Sequence, residues 1–187
     1  MTEEIFISVD VETAGPNPDR FAMLSIGACL VMDPTNTFYV ELKPDRDESQ
    51  DEALSITGLN MDDLRKNGLE PEAALVAFVD WIRAVVPEGA RPVFVAFNAP
   101  FDWMFINDYF HRYLGENPFG HSALDIKAYF MGQQGVEWSD TSMKFVSKRF
   151  LDNRRLTHNA LRDAQDQAEI FRRILDLNRS EEHTSEL

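Results

Sequence analysis

Two acidic residues stand two positions apart in an otherwise apolar segment near the N-terminus. Asp10 and Glu12 lie in the run 5–13, whose β-branched and aromatic residues predict a strand. Because alternate side chains of a strand share a face, both carboxylates point to the same side. Two carboxylates held there repel each other and lose hydration. A divalent cation between them is the simplest arrangement that removes both costs.

Three further residues could complete such a metal site. Asp102 is predicted at the start of a helix that follows the short apolar strand 92–97. If that strand runs parallel to the first one, the carboxyl ends of both open onto one crevice, where α/β sheets place their ligands. His158 and Asp163 fall at the beginning of the last predicted helix. One helix could therefore bring both side chains to the same crevice.

This set of side chains suits the hydrolysis of phosphodiester bonds. That reaction needs an activated water and neutralisation of the charge that builds on the phosphoryl group. Two divalent ions about 3.5–4 Å apart can supply both. Because Mg²⁺ prefers oxygen ligands and keeps several waters, a few carboxylates are enough to hold such a pair. An imidazole that titrates near neutral pH can take the proton of the attacking water.

The segments that must position these residues alternate between strand and helix patterns. Strands are predicted over 5–11, 23–32, 37–42, 92–97 and 122–126, and helices over 61–66, 71–86, 101–114, 127–131, 141–150 and 159–177. The short turns between the first three strands favour an antiparallel meander. We therefore expect an α/β fold with a central mixed β-sheet flanked by helices on both faces.

Length and composition favour a single soluble domain. The chain has 187 residues, of which 44% are hydrophobic, and no apolar run approaches the length of a membrane span. The first residues lack the basic and apolar regions of a secretory signal. The single cysteine, Cys29, lies in an apolar run and is interpreted as a core residue rather than a nucleophile. Because no disulfide can form within the chain, we expect a cytoplasmic protein.

The net charge of −14 argues against a polyanionic partner, but the charge is unevenly distributed. Between positions 144 and 162, six basic residues stand against a single acid, Asp152, and most of this stretch precedes His158. It is either a solvated helix face or a patch that follows phosphates beside the site.

Residues 179–187 differ from the rest of the chain. They lack an amphipathic pattern and resemble the translation of a sequencing-library adapter. We expect residues 1–178 to form the domain and residues 179–187 to be a non-native tail, so His183 receives no functional role.

Three short motifs occur in the order of a known enzyme family. They are Asp-x-Glu-Thr at 10–13, Asn-x-x-Phe-Asp at 98–102 and His-x-Ala-x-x-Asp-Ala at 158–164. Together they resemble the DEDD 3′→5′ exonucleases, in the histidine-base branch (DEDDh) that includes proofreading exonucleases and ribonuclease T. A lone Asp-x-Glu would be weak evidence, whereas three ordered motifs over residues 5–177 are specific.

The resemblance implies a ribonuclease H-like exonuclease fold and a two-metal mechanism that releases nucleoside monophosphates from a 3′ end. The ions would be two Mg²⁺, with Mn²⁺ as a substitute. Asp10 would bridge both ions, with Glu12 and Asp163 completing one site. Asp102 would serve the other ion, mostly through water, and His158 would be the general base.

The family pattern also assigns residues to the substrate. They are Thr13, Asn98, Phe101 and Leu59, with Leu59 the weakest match. Phe97 stands where many members have His, and Ala14 where many have a second Thr. Both lie outside the five chemical positions, so they bear on substrate contacts rather than on catalysis.

Other polar and aromatic residues near the motifs have simpler interpretations. Asp166, three positions after Asp163 on the same helix, is interpreted as a solvated acid. Asp125 either steadies the site or lies in a surface turn. The aromatic residues between 101 and 110 are expected mostly to fill the core, although aromatics can stack on bases.

The partners implied by the resemblance are single-stranded 3′ ends of RNA or DNA, and no motif encodes contacts to the sugar 2′ position that would separate the two. We expect no membrane partner, and because dimers are common among small free-standing relatives, the resemblance implies a homodimer as one possible state. Two alternatives compete with the exonuclease. One is an inactive nucleic-acid-binding or scaffold module with the same fold, which the acidity favours, and the other is an endonuclease of ribonuclease H type.

Overall fold

A computed structural model describes residues 2–152, 154 and 157–185, with side chains up to Leu177. Within these residues the strands are β1 (Glu4–Thr13), β2 (Met23–Leu30), β3 (Thr37–Glu41), β4 (Arg91–Ala96) and β5 (Ala123–Asp125). The helices are α1 (Asp51–Thr57), α2 (Met61–Asn67), α3 (Pro71–Val85), α4 (Ala99–Tyr113), α5 (Ile126–Gln134), α6 (Met143–Phe150) and α7 (Ala160–Ser185), with a 3₁₀ turn at Trp138–Thr141.

The five strands form one mixed sheet in the order β3-β2-β1-β4-β5. β1 and β2 pair antiparallel, as do β2 and β3, which confirms the predicted meander. β4 runs parallel to β1, and β5 parallel to β4. The carboxyl ends of β1 and β4 therefore open at the same edge, which is the geometry on which the predicted site depends.

Helices cover both faces of this sheet. Ile7, Val9 and Val11 point to the face covered by α3 and α4, where Phe78 and Phe105 are fully buried. The opposite face carries α5, α6 and α7. Buried apolar side chains from the sheet and these helices form its core, and they include Cys29, Val95, Ile126, Phe130, Val146, Phe171 and Ile174. The α/β architecture with helices on both faces is thus confirmed.

The cysteine has the environment expected of a core residue. The Cys29 thiol is buried, and loss of hydration followed by the charge of Asp33 raises its pKa to about 12. A thiol that holds its proton so firmly is a poor nucleophile at neutral pH.

Local signals place two of the helix starts. The side chain of Asn60 accepts hydrogen bonds from the backbone N–H groups of Asp62 and Asp63 and so caps α2. Pro71 is the first residue of α3, where its missing N–H costs nothing. Among the described residues, no helix combines the length and the apolar composition that crossing a membrane requires.

Two predicted helix boundaries were wrong. The segment predicted as one helix over 141–150 is a 3₁₀ turn followed by α6, with the extended residue Ser142 between them. The last helix does not stop near position 177 but continues to Ser185, because neither Gly nor Pro interrupts the sequence there. The non-native origin of residues 179–187 stays a prediction.

Candidate active site

The site lies at the carboxyl end of β1, where Asp10 and Glu12 share the face covered by α7. Glu12 is only 8% exposed, and Asp10 is half-buried. Asp163 reaches them from α7, and carboxylate oxygens of all three residues lie within 4.8 Å of one another. The structure thus joins the first and third motifs in one cluster, which we call the acid cluster.

A glycine allows α7 to approach the sheet this closely. Gly27 of β2 pairs with Asp10, and the start of α7 lies directly over it. A Cβ atom added at Gly27 would lie 2.1 Å from the carbonyl carbon of Ala160 and 2.2 Å from the amide nitrogen of Leu161. Ser8 strengthens the contact by donating its hydroxyl to the carbonyl oxygen of Ala164 at 2.8 Å.

Asp163 also fixes the segment that carries His158. Its Oδ1 accepts hydrogen bonds from the backbone N–H (2.8 Å) and the hydroxyl (3.1 Å) of Thr157, and its Oδ2 accepts one from the backbone N–H of His158 (2.9 Å). His158 has a left-handed backbone with φ of 52°, and its side chain is exposed. The histidine therefore stands at the rim of the acid cluster, on a backbone anchored by the aspartate.

Asp102 stands beside the acid cluster rather than in it. It is buried in the first turn of α4, and its Oδ1 accepts a hydrogen bond from the backbone N–H of Val11 at 3.1 Å. Since Val11 lies between Asp10 and Glu12, this bond brings the second motif against the first. The expected role of Asp102, as a ligand acting mostly through water, stays a prediction.

Asp125 supports the second motif from β5. Its Oδ1 accepts hydrogen bonds from the backbone N–H groups of Asn98 (3.0 Å), Ala99 (3.3 Å) and Lys127 (3.1 Å). Asn98 is held in a left-handed conformation with φ of 67° directly before α4. Of the two interpretations of Asp125, the structure therefore selects the one in which it steadies the site.

The electrostatics of the site fit a bound cation. Burial is the largest cause that raises the pKa of Asp10 well above its ordinary value, followed by the charges of Asp102, Glu12 and Asp163. Burial and then Asp163 raise the pKa of Glu12 to about 7. Burial raises the pKa of Asp102 to about 8, although backbone N–H groups oppose it.

Within the described part of the chain, none of the ion pairs includes a carboxylate of the acid cluster or Asp102. Four carboxylates without a basic partner form a donor set of hard oxygen atoms, which is what Mg²⁺ or Mn²⁺ prefers. The residues thus fit a divalent ion, and a cation there would offset the carboxylate repulsion that, after burial, helps to raise the pKa values of Asp10, Glu12 and Asp102.

We expect the variant Glu12→Gln to be more stable than the wild type at pH 8 in EDTA. The folded pKa of about 7 exceeds the ordinary value of 4.5, so folding favours the protonated carboxyl. The contribution of Glu12 to the free energy of unfolding is fully present below pH 4.5 and is lost as the pH rises through about 7. The loss amounts to at most roughly 3 kcal/mol. Urea unfolding at pH 8 and at pH 4.5 measures the difference, which should be small at the lower pH.

The matched control for this prediction is Glu88→Gln, which removes an exposed carboxylate far from the acid cluster. Its stability should follow that of the wild type at both pH values. A Glu12→Gln protein that is less stable than the wild type at pH 8 would contradict the electrostatic account.

The four residues that the family pattern assigns to the substrate stay predictions, and they have different surroundings. Thr13 is buried, and its hydroxyl donates to the carbonyl oxygen of Gly15 at 2.9 Å. Phe101 is half-buried, with its ring centroid 5.5 Å from that of Phe105. Asn98 is exposed, and Leu59 packs against a small apolar cluster beyond the end of β1.

The prediction of Asp166 as a solvated acid was wrong. Asp166 is 8% exposed, and its Oδ1 accepts a hydrogen bond from Nη1 of Arg154 at 2.7 Å. Arg154 also pairs with Glu169. This arginine therefore neutralises acids of α7, whereas Arg162 of the same basic stretch is exposed near the site. The choice between a solvated face and a phosphate-following patch stays open for that stretch.

Two residues of the site were not predicted. Gly27 has no distinguishing pattern, because a glycine in an apolar strand gives no sign of what lies above it. Gln167 lies four positions after Asp163 and so on the same helical face. It is 2% exposed and donates from Nε2 to Oδ1 of Asp10 at 2.6 Å. The spacing from Asp163 was the available signal.

Sequence comparisons show which known proteins this chain resembles. Residues 7–171 match the family model RNase_T, described as exonuclease. The chain is 48% identical over 172 residues to the 3′-5′ DNA exonuclease Cap18 of Escherichia coli. The aligned region covers 92% of each chain. The chain is 28% identical over 181 residues to ribonuclease T of Klebsiella pneumoniae, covering 91% of this chain and 84% of that protein.

The fold resembles that of a solved nuclease. The nuclease domain of 3′hExo, described as a DEDDh family member bound to rAMP, superposes with a TM-score of 0.76 and covers 92% of both chains. The identity is 17%, so this likeness concerns the fold alone.

Proposed function

Because the chain belongs to the RNase_T exonuclease family, we propose that it removes nucleotides from the 3′ ends of single-stranded DNA by metal-dependent hydrolysis. The observation that carries the proposal is the acid cluster. Asp10, Glu12 and Asp163 come from two motifs more than 150 positions apart and converge within 4.8 Å. Glu12 and Asp163 are buried, Asp10 is half-buried, and none of the three has a basic partner among the described residues. Such an arrangement costs stability unless a cation is bound.

The acid cluster and the resemblance to the DEDD exonucleases support the proposed metal ligands. Asp10, Glu12 and Asp163 would hold one divalent ion, and Asp102 together with Asp10 would hold the second. We propose Mg²⁺, with Mn²⁺ as a substitute, because all four ligands are carboxylates. When bound, such ions neutralise charge on the phosphoryl group and acidify a water molecule.

His158 is proposed as the general base. Its side chain is exposed, and its backbone N–H donates to Asp163, a member of the acid cluster. The imidazole would accept a proton from the attacking water while the water oxygen forms a bond to phosphorus and the bond from phosphorus to the 3′ oxygen breaks. The products are a nucleoside 5′-monophosphate and a strand that is one nucleotide shorter with a 3′-hydroxyl.

The choice of DNA rests on the relative named as a DNA exonuclease, with its identity of 48% over almost the whole chain. The match to ribonuclease T is weaker, at 28%. RNA is therefore the alternative substrate, and a direct comparison of the two separates them.

The test is a time course with 5′-labelled single-stranded DNA, single-stranded RNA and duplex DNA of one sequence, in Mg²⁺, Mn²⁺ or EDTA. We expect ladders that shorten from the 3′ end of single-stranded DNA, depend on the metal and are blocked by a 3′-phosphate. Internal cuts that leave the 3′ end intact would contradict the proposal and favour an endonuclease. Faster shortening of RNA would reverse the substrate assignment.

An inactive binding module with the same fold is the competing proposal. It would retard labelled strands in a gel without shortening them. Its premise is the loss of a ligand or of the base, whereas all five positions carry the expected side chain type here.

Three further properties stay proposals. The 1–178 boundary of the domain can be checked by comparing the activity of that fragment with the full chain. A homodimer would give twice the monomer mass of 21.4 kDa in analytical ultracentrifugation. A cytoplasmic location would place a fluorescent fusion in the soluble fraction of cells.

A further inference from the structure

Gln167 of α7 joins three parts of the site through one side-chain amide. Its Nε2 donates to Oδ1 of Asp10 at 2.6 Å, and its Oε1 accepts a hydrogen bond from the backbone N–H of Phe97 at 2.9 Å. Phe97 directly precedes the second motif, and Gln167 lies one helical turn after Asp163. A side chain that is 2% exposed thus links β1, the end of β4 and α7 in the interior.

The orientation of this amide follows from its partners. The backbone N–H of Phe97 can only donate, so the amide oxygen must face it. The amide NH₂ group must then face Asp10, whose carboxylate can only accept while it is ionised. The bond therefore fixes the rotation of the Asp10 carboxylate and leaves its second oxygen for another partner.

We propose that Gln167 is a positioning residue that holds the Asp10 carboxylate in the orientation needed to bind the metal and locks it to the second motif. This inference rests on the proposed function, because it takes Asp10 to be a metal ligand. Residues that orient a ligand from behind commonly change metal affinity or activity about 10–100-fold when they are replaced.

The surroundings of Asp10 support this role. The carboxylates of Glu12 and Asp163 lie within 4.8 Å of that of Asp10, whereas Gln167 meets Asp10 with a neutral amide donor at 2.6 Å. Gln167 thus holds the carboxylate without adding a positive charge that would compete with a cation. A lysine or arginine at this position would fill the site with its own charge, which a neutral donor avoids.

The test compares Gln167→Met with Gln165→Met. Methionine has nearly the volume of glutamine but cannot donate to Asp10. Gln165 lies on the same helix, and its Nε2 donates to the carbonyl oxygen of Pro34 at 2.9 Å. This hydrogen bond involves no residue of the acid cluster. The primary measurement is the dissociation constant for Mn²⁺ alone, by titration calorimetry on the full chain without substrate.

We expect Gln167→Met to bind Mn²⁺ about 10–100-fold more weakly than the wild type, and Gln165→Met to bind it within about twofold. At saturating Mn²⁺, kcat on single-stranded DNA should fall in Gln167→Met while KM for the strand stays unchanged, since the substrate contacts are left in place. A general loosening of α7 would instead weaken Mn²⁺ binding in both variants, and would overturn the proposal.

A second variant covers the case in which the buried methionine prevents folding. Gln167→Asn keeps the amide but is one methylene shorter, so it cannot reach Asp10 and Phe97 together. It should weaken Mn²⁺ binding in the same way. Either folded variant that binds Mn²⁺ within twofold of the wild type refutes the role of Gln167 alone. A wild-type protein that binds no Mn²⁺ refutes the metal site and this inference with it.

Discussion

Replacing Asp10 by Asn is expected to reduce kcat/KM on single-stranded DNA by about 10³-fold or more. Each ion in a two-metal site contributes several kcal/mol to stabilising the transition state, and about 4 kcal/mol corresponds to a factor of roughly 10³ in rate. Asp10 is the carboxylate proposed to bridge both ions, so its loss weakens both. Steady-state hydrolysis of a 5′-labelled strand in saturating Mg²⁺ measures the effect.

The substitution is chosen to leave the fold intact. The Asn side chain has the shape of Asp, and its Oδ1 can still accept the hydrogen bond from Gln167. It also removes a half-buried negative charge that the neighbouring carboxylates disfavour. The variant should therefore unfold at a temperature equal to or above that of the wild type in EDTA, which separates a catalytic loss from a folding defect.

Asp62→Asn is the matched control, because Asp62 is an exposed acid on α2 paired with Arg65. It should retain the activity of the wild type. If Asp10→Asn kept a tenth or more of the wild-type activity, Asp10 would not be a bridging ligand, and the proposed site would need another arrangement.

Replacing Gly27 by Ala is expected to impair stability and activity together. The added Cβ would overlap the backbone of Ala160 and Leu161, and backbone atoms cannot rotate away as a flexible side chain can. Overpacking of this kind costs about 1–3 kcal/mol. Because α7 must move outward, Asp163 and His158 move with it, and a displacement near 1 Å can cost about 10²-fold in rate.

Gly132→Ala provides the matched control. Gly132 lies inside α5, and a Cβ added there meets nothing within 4 Å. Because alanine has a higher helix propensity than glycine, this variant should gain roughly 0.5–1 kcal/mol and keep its activity. Urea unfolding and kcat/KM of both variants test the pair. A Gly27→Ala protein with the stability and activity of the wild type would contradict the close approach of α7.

Much of the fold could be predicted because its signals are local. The period-2 pattern in β1 set Asp10 and Glu12 on one face, and the short turns gave the antiparallel meander. The parallel pairing of β1 with β4 was only a condition in the sequence argument. The structure satisfies it and thereby places Asp102 near the first motif.

The parts that could not be predicted depend on contacts between distant positions. The role of Gly27 comes from Ala160, which lies over it across more than 130 positions of sequence. The burial of Asp166 depends on Arg154 reaching it from the loop before α7. Charge and periodicity describe one segment of the sequence at a time. They therefore indicate that Asp166 is solvated, whereas in the structure Arg154 pairs with it.

The position of β1 at the centre of the sheet has a consequence for how the enzyme matures. β1 is made first during synthesis, but its parallel neighbour β4 is joined to it through pairs such as Ile5 with Pro92, and α7 follows later still. Long-range pairing of this kind makes folding slow. A nascent chain that ends before α7 carries Asp10 and Glu12 but lacks Asp163. The acid cluster therefore forms only after α7 has been made and has packed against β1, so hydrolytic capacity arises in a single step that follows the pairing of the strands.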